Sequence, residues 1–269
     1  MPALLLAVFS TLLSSADRTV LLSTAKTIDT DDGERAYYQG PIPEQTKRIV
    51  IALHGYKDNP KQMAYYSGLH NALPEGTLTV YAKATQSEEY AAGWNGKICC
   101  GNGLFRDIDD TQFIAGLISQ LRAEYGSSDT PVYLIGFSNG AMFAQYVAGQ
   151  YPELISGVIS HAGTLGGDGE IISLSEPVPI LLMHGEQDTN VNFSGSKDTE
   201  DDFDGWFSHQ KTKEIWEKNN MDKAAVDTRT YPELTHQWPD WRIARPWHHR
   251  PEGSQHVAKF IESIEISSN

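Results

Sequence analysis

The sequence predicts an α/β domain built on a mainly parallel sheet with helices on both faces. Three observations carry this. Short apolar, β-branched runs alternate with longer stretches of helical periodicity, the pattern of strand–helix–strand units. The 269 residues show no repeat of fixed period and no long Pro- or Ser-rich linker, and that length suits one large α/β domain. Hydrophobic residues make up 40% and aromatics 10%, enough to fill a packed core.

The elements follow in chain order. Arg18–Ser23 and Arg35–Gln39 read as antiparallel edge strands, ahead of the buried runs. Those runs are Arg48–Leu53, Thr77–Ala82, Val132–Gly136, Ile155–Ser160 and Val178–His184, with a further strand at Val226–Tyr231. Asp109–Tyr125 is a helix, because Phe113, Ile114, Leu117, Ile118 and Leu121 recur at spacings of three and four and form one apolar stripe. Ala141–Tyr151, His209–Asn219 and Ser254–Ile264 complete the helices. Gln86–Phe105 and Asn190–Gly205 break the rhythm. Long irregular loops in a compact α/β domain are often functional, and both follow strands, at the end of the sheet where such folds keep their sites.

Charge narrows the function. With 21 Lys+Arg against 35 Asp+Glu the net charge is −14. No basic surface of the kind that holds nucleic acid phosphates is expected, and an anionic membrane would repel the chain. No apolar stretch reaches the ~20 residues of a transmembrane helix. Ala3 to Leu13 is an apolar run followed by Ser14-Ser15-Ala16, which reads as a signal peptide over residues 1–16. The domain is then residues 17–269, and the protein is expected outside the cell or in the periplasm. The two cysteines, Cys99 and Cys100, are neighbours, so neither a disulfide framework nor a four-cysteine zinc site can form. Two free thiols and a bridge closing a small ring are both open.

Gly136-Phe137-Ser138-Asn139-Gly140 matches G-x-S-x-G. The pattern is weak alone, but here an apolar strand precedes it and a helix follows. That context exposes a serine on a tight strand-to-helix turn. A serine hydroxyl needs a positioned base, itself oriented by a carboxylate. Where the elbow is used, the acid and then the histidine follow it, each just beyond a strand. Asp188 stands past Val178–His184, with Glu186 and Asp198 as rivals. His236 stands past Val226–Tyr231. His54, His184 and the pair His248-His249 fit structural or surface roles better. Two backbone N–H groups must face the developing oxyanion. Asn139, after the serine, and Tyr56, after Leu53-His54-Gly55, are the candidates. Glu200-Asp201-Asp202-Phe203-Asp204-Gly205 approximates half a calcium loop, but Lys211 stands where a bidentate Glu is needed. A solvated charge run is the better reading, and no metal is expected.

These blocks together resemble the secreted esterases grouped with polyhydroxybutyrate depolymerases and the related feruloyl and acetylxylan esterases. The resemblance rests on Leu53-His54-Gly55 with Asp58, Gly93-Trp94-Asn95 with Cys99-Cys100-Gly101, and Asp107 through Ile114. It continues through Gly136 to Met142, His184-Gly185 with Asp188 and Val191, and His236-Gln237-Trp238-Pro239. It implies an α/β-hydrolase fold and a carboxylic ester hydrolase without cofactor. Carried over, Ser138, Asp188 and His236 look like the catalytic triad, Tyr56 and Asn139 like the oxyanion donors, and Trp94 and Trp238 like substrate-site residues. The implied partner is an ester: a small molecule, a polysaccharide side chain or a polyester oligomer. A serine peptidase of the same fold and a non-catalytic hydrolase-like binding protein are the alternatives.

Overall fold

The structure is a computed structural model that describes residues 22–166, 172, 174–196, 205–239 and 252–267. The expected signal peptide, His248-His249, Asp198 and the acidic run 200–204 lie outside the described residues.

Among the described residues eight strands form one sheet: β1 (Lys26–Thr30), β2 (Gly33–Gln39), β3 (Arg48–Leu53), β4 (Thr77–Ala82), β5 (Val132–Phe137), β6 (Gly157–His161), β7 (Ile180–Gly185) and β8 (Val226–Tyr231). Their spatial order is β1-β2-β4-β3-β5-β6-β7-β8. β1 and β2 pair antiparallel, β2 joins β4 antiparallel, and every pairing from β4 to β8 is parallel. The chain therefore leaves β4 on one side of β3 and resumes with β5 on the other. This is a topological switch, where α/β sheets open a crevice for ligands at their carboxyl ends.

The strands from β3 to β7 alternate between two cores. Ile49, Ile51, Leu53, Leu134, Val158 and Leu182 face one side, with Phe113, Leu117, Phe143 and Trp216 packed on them. Val50, Ala52, Tyr133, Ile135, Ile159 and Leu181 face the other, under Met63, Leu69, Phe260 and Ile261. Covering both faces is why these strands read as nearly continuous apolar runs.

Among the described residues six helices supply the covers. α1 (Pro60–Ser67), α2 (Leu69–Ala72) and α7 (Glu252–Ser267) contribute to the second core, and α4 (Asp110–Tyr125), α5 (Asn139–Gln150) and α6 (His209–Asn220) to the first, while α3 (Asn102–Phe105) is a single turn in the Gly-rich loop. Local chemistry sets their ends. Asn59 caps α1 through the Lys61 and Gln62 N–H groups ahead of Pro60, and Gly68, at φ 58°, ends it. Asp109 caps α4 through the Gln112 N–H, and Ser208 caps α6 through the Lys211 N–H.

Of the expected strand Arg18–Ser23, residues 18–21 lie outside the described residues, and Ser23 donates its N–H to the Gln39 carbonyl at 2.8 Å. β1, Lys26–Thr30, pairs with β2 and was not expected. As an edge strand it needs to bury only a little, so it is polar, and Ile28 is its apolar contact with the core. The turn at Asp31-Asp32-Gly33, with Gly33 at φ 102°, sets its register. β6 begins two residues later than expected, because Pro152–Leu154 forms a 3₁₀ turn ahead of it.

A buried ion pair ties this edge to the Gly-rich loop. Arg35 Nη2 donates to Asp110 Oδ1 at 2.5 Å, with the two side chains 2% and 0% exposed. The other carboxylate oxygen accepts the Asn95 N–H at 2.7 Å, and the guanidinium lies 4.2 Å from the Phe113 ring centre. Burial raises the Asp110 carboxyl, and the charge of Arg35 and the Asn95 N–H pull against it. Removing one partner leaves a buried charge alone, so Arg35→Met is expected to cost about 3–5 kcal/mol in urea unfolding. The double replacement Arg35→Met with Asp110→Leu should recover part of that. A single-variant loss below about 1 kcal/mol would mean that solvent reaches the pair.

Candidate active site

The site begins at the end of β5. Ser138 has φ 55° and ψ −125°, a strained backbone for an L-residue. The turn fits because its neighbours lack side chains. A Cβ at Gly136 would lie 2.2 Å from the Gly140 carbonyl oxygen, and one at Gly140 would lie 2.3 Å from that of Leu53. The Ser138 N–H donates to the His161 carbonyl at 2.9 Å. Ser138 occupies the N-cap of α5, yet its side chain caps nothing. Its hydroxyl is directed elsewhere.

It meets His236, whose Nε2 lies 2.8 Å from Ser138 Oγ. His236 Nδ1 lies 2.7 Å from Asp188 Oδ2, and the other Asp188 oxygen accepts the N–H groups of Asn190 at 2.9 Å and Val191 at 3.0 Å. Burial alone would raise this carboxyl. Hydrogen bonds from His184 and His236, the His236 charge and the Val191 N–H outweigh it and hold Asp188 well below the usual carboxylate range. An ionised Asp188 accepts from Nδ1–H and so leaves Nε2 free to take the serine proton. Glu186, the rival acid, is exposed.

The loops after β7 and β8 are laced together. A Cβ at Gly185 would lie 2.2 Å from the Leu234 carbonyl oxygen, and the Glu186 and Gln187 N–H groups donate to Tyr231 and Leu234 at 3.0 Å each. His161 Nε2–H donates to the Gln237 carbonyl at 2.6 Å, which holds the residue next to His236.

The loop after β3 lies against the elbow: a Cβ at Gly55 would be 3.4 Å from Ser138 Cβ. The His54 ring is locked, with Nδ1–H donating to the Gly55 carbonyl at 2.8 Å and Nε2 accepting the Ala84 N–H at 3.2 Å. This sets the approach to Tyr56. Asn139, the first residue of α5, has a backbone N–H with no acceptor inside the helix. Its side chain is a clamp. Oδ1 accepts the Trp94 N–H at 2.7 Å, and Nδ2 donates to the carbonyls of Trp94 at 3.1 Å and Cys99 at 2.6 Å. Cys99 and Cys100 form a disulfide, which decides between the two readings left open by the sequence.

Two expectations are corrected. Trp94 is 0% exposed. Its ring stacks on Phe143 with centroids 5.1 Å apart, and Nε1–H donates to the His54 carbonyl at 2.9 Å. Trp238 is 1% exposed, packed against His161 and Tyr66. Both indoles are core supports of the site loops and do not line a substrate surface. Among the described residues no group of three His, Cys, Asp or Glu could hold a metal ion.

A mainly parallel sheet, a serine on a tight turn after β5, and an acid and a histidine arriving in that order make up the α/β-hydrolase fold, with the three side chains in line at the strand ends. Comparison with known proteins agrees. The family model described as phospholipase/carboxylesterase matches residues 109–237. A protein of Nocardia uniformis subsp. tsuyamanensis that carries an esterase name, NocK, is 29% identical over 157 residues, 58% of this chain and 44% of that protein. The bifunctional acetylxylan esterase/xylanase XynS20E of Neocallimastix patriciarum is 26% identical over 148 residues, 54% of this chain and 20% of that protein. The matched region thus spans less than half of either relative. The crystal structure of Est1E from Butyrivibrio proteoclasticus superposes with a TM-score of 0.61 at 14% identity, covering 91% of this chain and 100% of that one. The likeness to Est1E is one of fold. The family model and the two relatives each carry an esterase description, and each matches this chain over part of its length.

Three buried imidazoles predict the pH dependence of stability. Burial pushes His54 down to about 4, His161 to about 3 and His209 to about 4. Each therefore binds its proton more readily in the unfolded chain, where imidazoles titrate near 6.5. Their contribution is complete above about pH 6.5 and is lost as pH falls toward 4, at about 1.4 kcal/mol per unit for each histidine. Asp188, held low, adds its own loss below about pH 4. The urea midpoint should be level from about pH 7 to 8 and fall steeply below 6.5, and His209→Gln should remove about a third of the slope. A midpoint that stays level to about pH 5 contradicts this.

Proposed function

We propose that the protein is a serine-dependent carboxylic ester hydrolase acting through an acyl-enzyme. One observation carries the reading: the unbroken line from Ser138 Oγ through both nitrogens of His236 to Asp188. His236 Nε2 takes the hydroxyl proton as Ser138 Oγ attacks the ester carbonyl. The backbone N–H groups of Tyr56 and Asn139 stabilise the oxyanion. Collapse expels the alcohol, which receives its proton from His236. Water, deprotonated by the same imidazole, then cleaves the acyl-enzyme, while Asp188 holds the Nδ1–H tautomer throughout.

The substrate reading is an ester whose acyl or alcohol part comes from a polymer: acetylated or feruloylated xylan, or a short hydroxyalkanoate oligomer. It is supported by the sequence blocks around Trp94, the tandem cysteines and His236, and by the acetylxylan esterase name of one relative. Export is part of the proposal. The disulfide supports it, since disulfides persist in oxidising compartments, and the intact mass of protein recovered from medium or periplasm would test cleavage after Ala16.

Rates on short-chain nitrophenyl esters, methyl ferulate, acetylated xylan, a hydroxybutyrate oligomer and a peptide amide separate the substrate classes and the peptidase alternative. Ser138→Ala should lower ester turnover by about 10⁴-fold or more with the fold intact. Asp188→Asn should lower kcat by about 10⁴-fold, because the amide donates where the carboxylate accepts. Glu186→Gln should change little. Near-wild-type turnover by folded Ser138→Ala overturns the reading.

The Asn139 clamp yields a further expectation. Asn139→Ala keeps the backbone N–H but frees it to move. A fall in kcat of about 10- to 100-fold is expected, less than the 10²–10³ lost with an oxyanion donor itself. An unchanged kcat would show that the clamp does not position this N–H.

A further inference from the structure

We propose that His184, at the end of β7, is a positioning residue that shares the Asp188 carboxylate with His236. The inference rests on the triad reading above. His184 Nε2 lies 3.3 Å from Asp188 Oδ2, the oxygen that faces His236 Nδ1 at 2.7 Å. It also lies 2.9 Å from the Val191 carbonyl oxygen. Both neighbours are acceptors, so Nε2 carries a proton and divides it between them. Nδ1 is buried and has no hydrogen-bond partner among the described residues, so a second proton there would have no acceptor.

The arrangement closes on itself. Val191 donates its N–H to Asp188 Oδ1 at 3.0 Å and accepts from His184 through its carbonyl, so one imidazole fixes the carboxylate and the turn that carries it. Four donors, two backbone and two imidazole, leave the Asp188 side chain no freedom to rotate. The His184 ring is held in turn by edge contacts with Phe193 and with His209 of α6, at centroid distances of 5.5 and 5.7 Å. The titratable groups facing His184 are Asp188 on the loop after β7, His161 from β6, His209 from α6 and, across Asp188, His236 from the loop after β8.

The chemical consequence has a sign. A donor on Oδ2 draws off part of the carboxylate charge that His236 senses. Without it, Asp188 stabilises the His236 imidazolium more strongly and the base keeps its proton to higher pH. A histidine that merely fills space has no such effect.

The experiment compares His184→Leu and His184→Gln with the wild type in ester hydrolysis across pH. His184→Leu should lower kcat about tenfold with KM within about twofold, and move the acid limb of kcat/KM upward by about half a pH unit. His184→Gln, whose amide can donate from nearly the same place, should return kcat to within about threefold and the limb to its original position. An unmoved limb, or a glutamine variant no better than leucine, overturns the proposal. Should His184→Leu fail to fold, ¹⁵N NMR of the wild type and Asp188→Asn decides the matter. His184 should be protonated at Nε2, and that resonance should move on Asp188→Asn; an unprotonated Nε2, or a resonance that stays, overturns it. Activity in Ser138→Ala would instead remove the triad reading, whereas an inactive Ser138→Ala beside unaffected His184 variants removes this inference alone.

Discussion

The backbone at Ser138, with φ 55° and ψ −125°, is the constraint on which the site depends. A residue in such a conformation costs about 1–3 kcal/mol and persists only where its surroundings over-determine it. Here β5, buried on both faces, delivers the chain to the turn, and α5 begins at once and takes it away. Between them no side chain larger than hydrogen fits at Gly136 or Gly140. The turn lifts the hydroxyl off the helix end it would otherwise cap and leaves the first N–H of α5 unclaimed. The freed hydroxyl and the unclaimed N–H are thus two products of one bend.

Around that bend, buried polar side chains that have no part in bond making hold each loop. His54 locks the loop after β3, the Asn139 amide clamps the Gly-rich loop, His161 grips the loop that carries His236, and Arg35 with Asp110 anchors Asn95 from the sheet edge. His54, the Asn139 amide and Asp110 have partners on both of their polar atoms, which is the condition under which a buried polar group specifies one arrangement. The core supplies most of the stability, and these groups fix where the strand ends point.

Much of this was legible in the sequence. β3, β4 and β8 begin and end where the expected strands do, and Ser138, Asp188 and His236 meet as their order along the chain implies. Strands covered on both sides must be apolar throughout, and an elbow needs its glycines, so both leave local patterns. β1 went unseen because an edge strand needs little apolar content, although Asp32-Gly33 marked its turn. α1 and α2 went unseen, although Asn59-Pro60 marked the start of α1. Trp94 and Trp238 were assigned by their place in a sequence block, and that says nothing of which way an indole faces. The Asn139 clamp and the grip of His161 join residues 40 and 76 positions apart, and contacts of that kind have no period to read.

The Cys99–Cys100 disulfide joins residues one position apart. A crosslink usually stabilises by shrinking the ensemble of the unfolded chain, and the gain grows with the loop it closes. This one closes no loop, so the denatured chain is almost as free with it as without it. With 2 cysteines in the whole sequence, no intramolecular mispairing can trap the chain either. Its influence is confined to the folded molecule, where it shapes the segment whose Cys99 carbonyl receives the Asn139 amide. The chain can therefore collapse and assemble its sheet before any oxidant arrives, and oxidation becomes a finishing step applied to a formed loop.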